Sequence, residues 1–117
     1  MSMTPSGLSL PEVRDDEKQM AMIAHVGGCF VWLLAPLGVY FLKGADSKFI
    51  RYHATQAAIY HVIAFITYML VTSISCGVLS FVLPLFWIPA IYWGVMKANK
   101  GEWAGYPAIA GVGMPTE

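Results

Sequence analysis

The sequence predicts an all-α integral membrane protein, a bundle of three transmembrane helices. Of its 117 residues, 57% are hydrophobic and only 12% are charged, whereas a soluble domain is about half apolar and a quarter charged. The charged residues fall in short groups, separated by uncharged segments long enough for a spanning helix, which takes about 20 residues. We therefore expect transmembrane helices over about residues 20–42, 53–75 and 78–96.

Residues 1–18 are expected to form a flexible polar segment. They contain Pro5, Pro11 and the mixed-charge run 14–18, and they have no helical periodicity. They also lack the basic start and short apolar core of a secretory signal. The charged run either begins a helix or lies in water.

The first expected helix, over residues 20–42, carries no formal charge apart from the titratable His25. Pro36 removes one backbone hydrogen bond and is expected to kink this helix, which neighbouring helices can tolerate. The alternative is a broken helix lining a site, marked by Gly27–Gly28 and by Pro36 with Gly38. Small residues at helical spacing on one side would allow another helix to approach closely: Ala21, Ala24, Gly28 and Ala35.

A basic hairpin over residues 43–53 joins the first two expected helices. Asp46 or Ser47 suits the N-cap of the second helix. Lys48 and Arg51 then lie in its first turn, where the helix dipole disfavours cations. Anionic lipid headgroups or an acidic partner would compensate them, unless they are simple snorkelling anchors.

No charged residue occurs from Thr55 to Met96, which is too long for a single crossing. We expect a turn at residues 73–77 (Ser-Ile-Ser-Cys-Gly) between the second and third helices. Pro84 and Pro89 fall within the third helix and should make it the most distorted of the three, or partly re-entrant.

The second expected helix has a polar side and an apolar side. A polar side within a membrane is costly unless it is paired, so it should face other helices, another subunit or an aqueous cavity. At about 100° per residue, one arc contains the expected packing or cavity face: His53, Gln56, Ala57, Tyr60, His61, Ala64, Thr67 and Tyr68.

The membrane domain, residues 19–107, ends in a segment typical of a membrane interface, and a short tail of residues 108–117 follows. Trp103 and Tyr106 are expected interface anchors. Three spans would leave the N-terminus outside and the hairpin and C-terminus in the cytoplasm, because basic residues favour the inner face. The expected headgroup or partner contacts on that face are Lys43, Lys48, Arg51, Lys97 and Lys100.

Catalysis is not expected, because no carboxylate lies within a predicted span and no nucleophile has an evident base partner. We expect no cofactor, and the zero net charge argues against nucleic-acid binding. His25 and His53 are expected near opposite faces, which would keep them apart. Soft-metal binding at the outer face is a minor hypothesis, with Met20, Met22, His25, Cys29 and Cys76 as its candidates.

Three motifs in this order and spacing resemble a known family. They are Ala-x-x-Ala-His-Val-Gly-Gly at residues 21–28, Phe-Ile-Arg-x-His-Ala-x-Gln-Ala at 49–57, and Met-Lys-Ala-x-Lys-Gly-Glu-x-x-x-Tyr-Pro at 96–107. The family consists of small prokaryotic multi-span membrane proteins of undefined function, distantly related to the Tic-type chloroplast protein-import component and to magnetosome membrane proteins. The import relatives have four spans, against the three predicted here.

This resemblance implies a location in the prokaryotic inner membrane and a tendency to self-associate or join larger complexes. We therefore expect a non-enzymatic structural or assembly subunit, whose partners are anionic lipids and either further copies of the chain or other membrane subunits. The alternative is a transport or protein-translocation component that uses the polar side of the second helix as a wet lining.

Overall fold

The fold is seen in a computed structural model that describes residues 2–3, 9–10, 13–102, 105–107, 109 and 111–112. Two short strands, β1 (Ser2–Met3) and β2 (Ser9–Leu10), pair in antiparallel register. The other regular elements of the described residues are helical: α1 (Asp15–Val31), α2 (Leu34–Lys43), α3 (Lys48–Ile74) and a C-terminal helical segment (Val78–Asn99).

Helix α1 begins within the charged run that the sequence placed in a flexible segment. The Glu17 carboxylate accepts a hydrogen bond of 3.0 Å from the Arg14 backbone N–H. Asp15 and Asp16 share this first turn, where negative charge complements the helix dipole. Of the two possibilities left open for residues 14–18, the structure has the helix start.

The expected single span over residues 20–42 is wrong, because the chain reverses at Trp32 and Leu33. Trp32 has a φ of 53°, a conformation that is uncommon for a residue with a side chain. Helices α1 and α2 form a hairpin in which Gly27 packs directly on Ala35. Pro36 lies in the first turn of α2, where its missing N–H leaves no intrahelical bond unmade, so it does not kink a longer helix.

The connection from α2 to α3 is a short turn, and its N-cap agrees with the sequence. The Ser47 hydroxyl accepts a hydrogen bond of 3.2 Å from the Ile50 backbone N–H. Arg51 folds back, and its Nε donates to the Gly44 carbonyl at 3.1 Å. Helix α3 then continues for 27 residues.

The expected turn at residues 73–77 is present, with Cys76 and Gly77 at φ values of 55° and 86°. The C-terminal helical segment that follows is distorted, as its prolines predict. It is 3₁₀-helical over Val78–Phe86 and π-helical over Ala90–Met96, with a short α-helical piece between. Pro84 has no N–H to donate within this helix, and the Tyr68 hydroxyl donates to the Ser80 carbonyl at 3.0 Å.

Helices α1 and α3 start from the same end of the molecule, and α2 and the C-terminal helical segment return to it. Ala21, Phe49, Tyr52 and Ala98 pack in one cluster near that end, and Gly101 lies beside the Lys18 side chain. The sequence-based placement of residues 14–18 opposite the basic hairpin is therefore wrong. The seven Lys and Arg residues of the chain all lie at this end, which we call the charged end. The turn at 75–77 marks the far end.

Two helices are long and apolar enough to cross a membrane: α3 and the C-terminal helical segment. In each, only 11% of the most apolar part is buried within the protein, unlike the core helix of a soluble domain. Helix α2 is apolar but has only ten residues. The predicted three spans are thus two helices of spanning length and a hairpin.

Candidate functional site

The candidate site is a chain of hydrogen bonds inside the charged-end half of the bundle. His25 of α1 lies between His53 of α3 and Tyr106 of the chain beyond the last helix. Its Nδ1 is 2.8 Å from the Tyr106 hydroxyl, and its Nε2 is 3.0 Å from His53 Nδ1. His53 Nε2 lies 2.9 Å from the Glu102 carbonyl oxygen. We call His25, His53 and Tyr106 the histidine network, and all three side chains are buried.

The partners fix the direction of each hydrogen bond in the histidine network. The Glu102 carbonyl can only accept, so His53 Nε2 carries a hydrogen and His53 Nδ1 is the acceptor of a neutral ring. His25 Nε2 therefore donates to His53, which makes His25 Nδ1 the acceptor for the Tyr106 hydroxyl. Burial raises the pKa of Tyr106, which keeps this donor protonated.

The histidine network can hold at most one additional proton. A protonated His25 could donate from both nitrogens, because the Tyr106 oxygen can also accept. If both imidazoles were protonated, two N–H groups would face each other across 3.0 Å.

The expectation that His25 and His53 lie near opposite faces is wrong, since α1 and α3 run side by side in the same direction.

Gln56 fastens the tail to α3 through three hydrogen bonds. Its Nε2 donates to the carbonyls of Ile109 and Val112 at 2.6 and 2.9 Å, and its Oε1 accepts from the Tyr106 N–H at 3.2 Å. A Cβ at position 105 would overlap the Gln56 amide, so this close approach requires Gly105.

Two further glycines make room for imidazole rings. A Cβ at Gly94 would overlap the ring of His25, and one at Gly28 would overlap the ring of His61. The sequence analysis did not predict that Gly94, Gly105 and the backbone of Glu102 are parts of the site. The family motif at residues 96–107 contains Glu102 and Tyr106 and was a signal for this segment, but Tyr106 was interpreted as an interface anchor. It is instead buried, with 4% of its surface exposed.

The polar side of α3 faces inward along its first half and outward near its end. His53, Gln56, Ala57, His61 and Ala64 are buried. Tyr60 and Tyr68 are half-buried and Thr67 is exposed. The Tyr60 ring stacks on the Tyr106 ring at 4.3 Å, so much of the predicted face is occupied by the chain itself.

A profile of the magnetosome magnetite crystal formation protein family matches residues 16–112. The chain belongs to this family. No curated protein and no solved structure matches the chain. The matched residues run from the first turn of α1 to the tail held by Gln56, so they contain the whole histidine network. The magnetosome part of the resemblance is thereby confirmed, and the Tic-type relationship stays a prediction.

The soft-metal candidates are not brought together in this family member. Met20 packs against the cluster around Ala24 and Val39, and Met22 against the cluster around Ala21 and Phe49. Cys29 lies near the tip of the α1–α2 hairpin, whereas Cys76 lies in the turn at the far end. Among the residues that the structure describes, no three His, Cys, Asp or Glu side chains are grouped as a metal site.

The charged end of this magnetosome-family chain carries both signs of charge at its surface. Arg14 bonds the Asp16 carboxylate at 3.1 Å, which lowers the pKa of Asp16. Lys97 lies 3.5 Å from Glu102. The five expected headgroup contacts all lie at this end, while the other expected anchor, Trp103, lies outside the described residues.

A cavity of about 250 Å³ lies between the hairpin tip, α3 and the C-terminal helical segment. Cys29, Trp32 and Phe65 line one side and Phe86 and Trp87 the other, and most of the lining is apolar. It lies beyond the histidine network, toward the far end. Cys29 and His61 both line this cavity, and both donate to the His25 carbonyl, at 3.8 and 3.4 Å. The family is described by crystal formation.

Proposed function

We propose that this protein is a non-enzymatic membrane-embedded subunit that works by associating with further copies of itself or with other membrane proteins. Its membership in the magnetosome magnetite crystal formation family supports a membrane assembly that forms such crystals. The observation that carries the proposal is the exposed apolar surface of α3 and the C-terminal helical segment, which suits contact with lipid or another membrane helix, whereas the buried imidazoles and Gln56 bond other parts of the same chain.

Membrane embedding is supported by the apolar surface that the chain exposes. Large apolar side chains are exposed along α3 and the C-terminal helical segment, among them Ile66, Leu70, Ile74 and Phe81. From Arg51 to Ile74, α3 extends about 35 Å by its helical rise, which matches a hydrocarbon core of about 30 Å. The charged end would then lie among the headgroups of one leaflet.

The charged end is the surface from which polar contacts with a partner or with anionic lipids can form. Lys48 and Arg51 lie in the first turn of α3 and are exposed. Arg51 is partly compensated by the Gly44 carbonyl, and an external anion at Lys48 would offset the helix dipole. The transport alternative requires a wet lining on the polar side of α3, whereas His53 and Gln56 have no exposed surface.

Extraction in a mild detergent, followed by native mass spectrometry, tests the assembly role. We expect complexes that contain more than one copy of the chain, or the chain together with other membrane proteins. A protein that remains monomeric with lipid alone at every concentration contradicts the proposal. A second readout is crystal size by electron microscopy in a magnetite-forming host that lacks its own family member. Expression of this chain there should alter crystal growth.

A further inference from the structure

The α1–α2 hairpin reaches only about half as far along the molecule as α3. Helix α2 has ten residues, or about 15 Å of helix, between Lys43 at the charged end and Leu34 at the hairpin tip. The tip is held against the middle of α3, where Trp32 Nε1 donates to the His61 carbonyl at 2.9 Å. His61 is itself about 15 Å beyond Arg51 along α3. By both measures, the hairpin ends near the midplane of a hydrocarbon core of about 30 Å.

Burial along α3 changes at the same level. All buried residues of α3 lie between Phe49 and Ala64. Beyond Phe65 the described residues of α3 are exposed or half-buried, and Val78–Phe86 beside them contains no buried residue. The tail also packs in the charged-end half, where Gln56 and the histidine network hold it. One half of the molecule therefore contains four helical pieces and a tail, and the other contains two helical pieces.

We infer that this protein is a membrane wedge that favours bilayers in which the leaflet around its charged end is convex. This inference rests on the membrane embedding proposed above. A hairpin that enters one leaflet displaces lipid from that leaflet alone, so the two leaflets must accommodate different protein areas. Outward bending of the crowded leaflet relieves this difference, as it does for other insertions confined to one side of a bilayer.

Nanotubes pulled from giant vesicles test the wedge and its direction in one experiment. The full chain carries a fluorophore at Asp46→Cys, in a background of Cys29→Ala and Cys76→Ser. A membrane-impermeant quencher added outside silences the molecules whose charged end faces outward. The ratio of protein to lipid fluorescence, in the tube relative to the vesicle body, is measured before and after quenching.

Molecules with the charged end on the outer, convex leaflet should be enriched in the tube, and increasingly so as the tube narrows. Molecules in the opposite orientation should be depleted. Equal partition of both orientations at every tube radius would overturn the wedge alone. Equal enrichment of both would also overturn it, because a wedge has a direction. Release of the labelled protein from vesicles by alkaline carbonate would overturn the proposed embedding as well.

A variant with a longer hairpin provides the second test. Two helical turns of Leu and Ala are inserted on each side of the Trp32–Leu33 turn, so that the hairpin reaches the far leaflet. Its integration is checked by carbonate extraction, and its preference for the tube should be lost. A lengthened, integrated chain that keeps the full preference would show that hairpin depth does not cause the sorting.

Discussion

At the scale of single residues, the core of this protein depends on pairing every buried polar atom of the histidine network. An unpaired donor or acceptor costs its full desolvation free energy, about 1 to 3 kcal/mol. His25 uses both ring nitrogens, and so does His53. Among the described side chains, Thr72 Oγ1 is the one buried polar atom without a partner. The network therefore tolerates little substitution.

Tyr106→Phe should lower the free energy of unfolding by about 1 to 3 kcal/mol, because His25 Nδ1 loses its donor and stays buried. The free energy of unfolding can be measured in bicelles by steric trapping. Tyr92→Phe is the matched control, since the Tyr92 side chain is half exposed and its hydroxyl has no hydrogen bond to the described residues. Equal losses in the two variants would contradict the role given to Tyr106.

At the scale of elements, the sequence predicted best where a local residue determines the structure. Ser47 is a local N-cap, and the turn before Gly77 has a local breaker, so both were found. The reversal at Trp32 was not, because neither residue 32 nor residue 33 is a proline or glycine, and Pro36, in the first turn of α2, was interpreted as a kink, with a broken helix as the alternative. The reversal is held by contacts distant in the sequence, namely the Trp32 bond to His61 and its ring contact with Phe65 at 4.8 Å.

The same dependence on contacts distant in the sequence explains why the histidine network was not predicted. The helical arc predicted one inward side with His53 and Gln56 on it, since periodicity follows from local geometry, and both side chains are buried in the structure. Their partners could not be predicted, because they depend on the direction of α1 and on the path of the tail. The three expected spans put the start of α1 at the opposite end from the basic hairpin, whereas in the structure α1 starts beside it, so His25 lies next to His53.

Gln56→Leu should release the tail from α3. It removes three hydrogen bonds, at about 1 kcal/mol each, and should speed hydrogen exchange at the Tyr106 amide, whose acceptor is lost. Exchange across residues 105–112, followed by mass spectrometry, measures this effect. Gln19→Leu, at an exposed position of α1, serves as the control. Unchanged protection of the Tyr106 amide in Gln56→Leu would refute the clamp.

The contact between Tyr68 and the proline-containing helix predicts a non-additive pair. Tyr68→Phe should cost about 1 kcal/mol, because the bond from the Tyr68 hydroxyl to the Ser80 carbonyl is lost. In a Pro84→Ala background the cost should be smaller, since the new N–H at position 84 can bond the same carbonyl. A double-mutant cycle on the free energy of unfolding gives the coupling. A cost that is the same in both backgrounds would rule out this compensation.

At the scale of the whole molecule, charge separates the two ends. The seven basic residues lie at the charged end, and the polypeptide from Tyr52 to Met96 has no formal charge. This distribution favours one orientation in a membrane. The start of α1, the α2–α3 turn and the end of the last helix lie together at this end of the molecule.

Cysteine labelling checks this arrangement directly. Asp16→Cys, Asp46→Cys and Lys100→Cys, each in a chain without its native cysteines, should react with an impermeant maleimide from the same side of the membrane. Native Cys76, in a chain carrying Cys29→Ala, should react from the opposite side. Labelling of Asp16→Cys from the side of Cys76 would restore the three-span topology and contradict the hairpin.

The position of Tyr106 in the core has a consequence for biosynthesis. The hydroxyl that completes the bonding of His25 is 81 residues further along the chain, so the ribosome makes it long after α1 has left. Until then the nascent helices carry an imidazole without its donor, and chaperones or membrane proteases can recognise such immature chains. The last stage of maturation should therefore follow translation of residue 106 and should be abolished by a stop codon placed just before it.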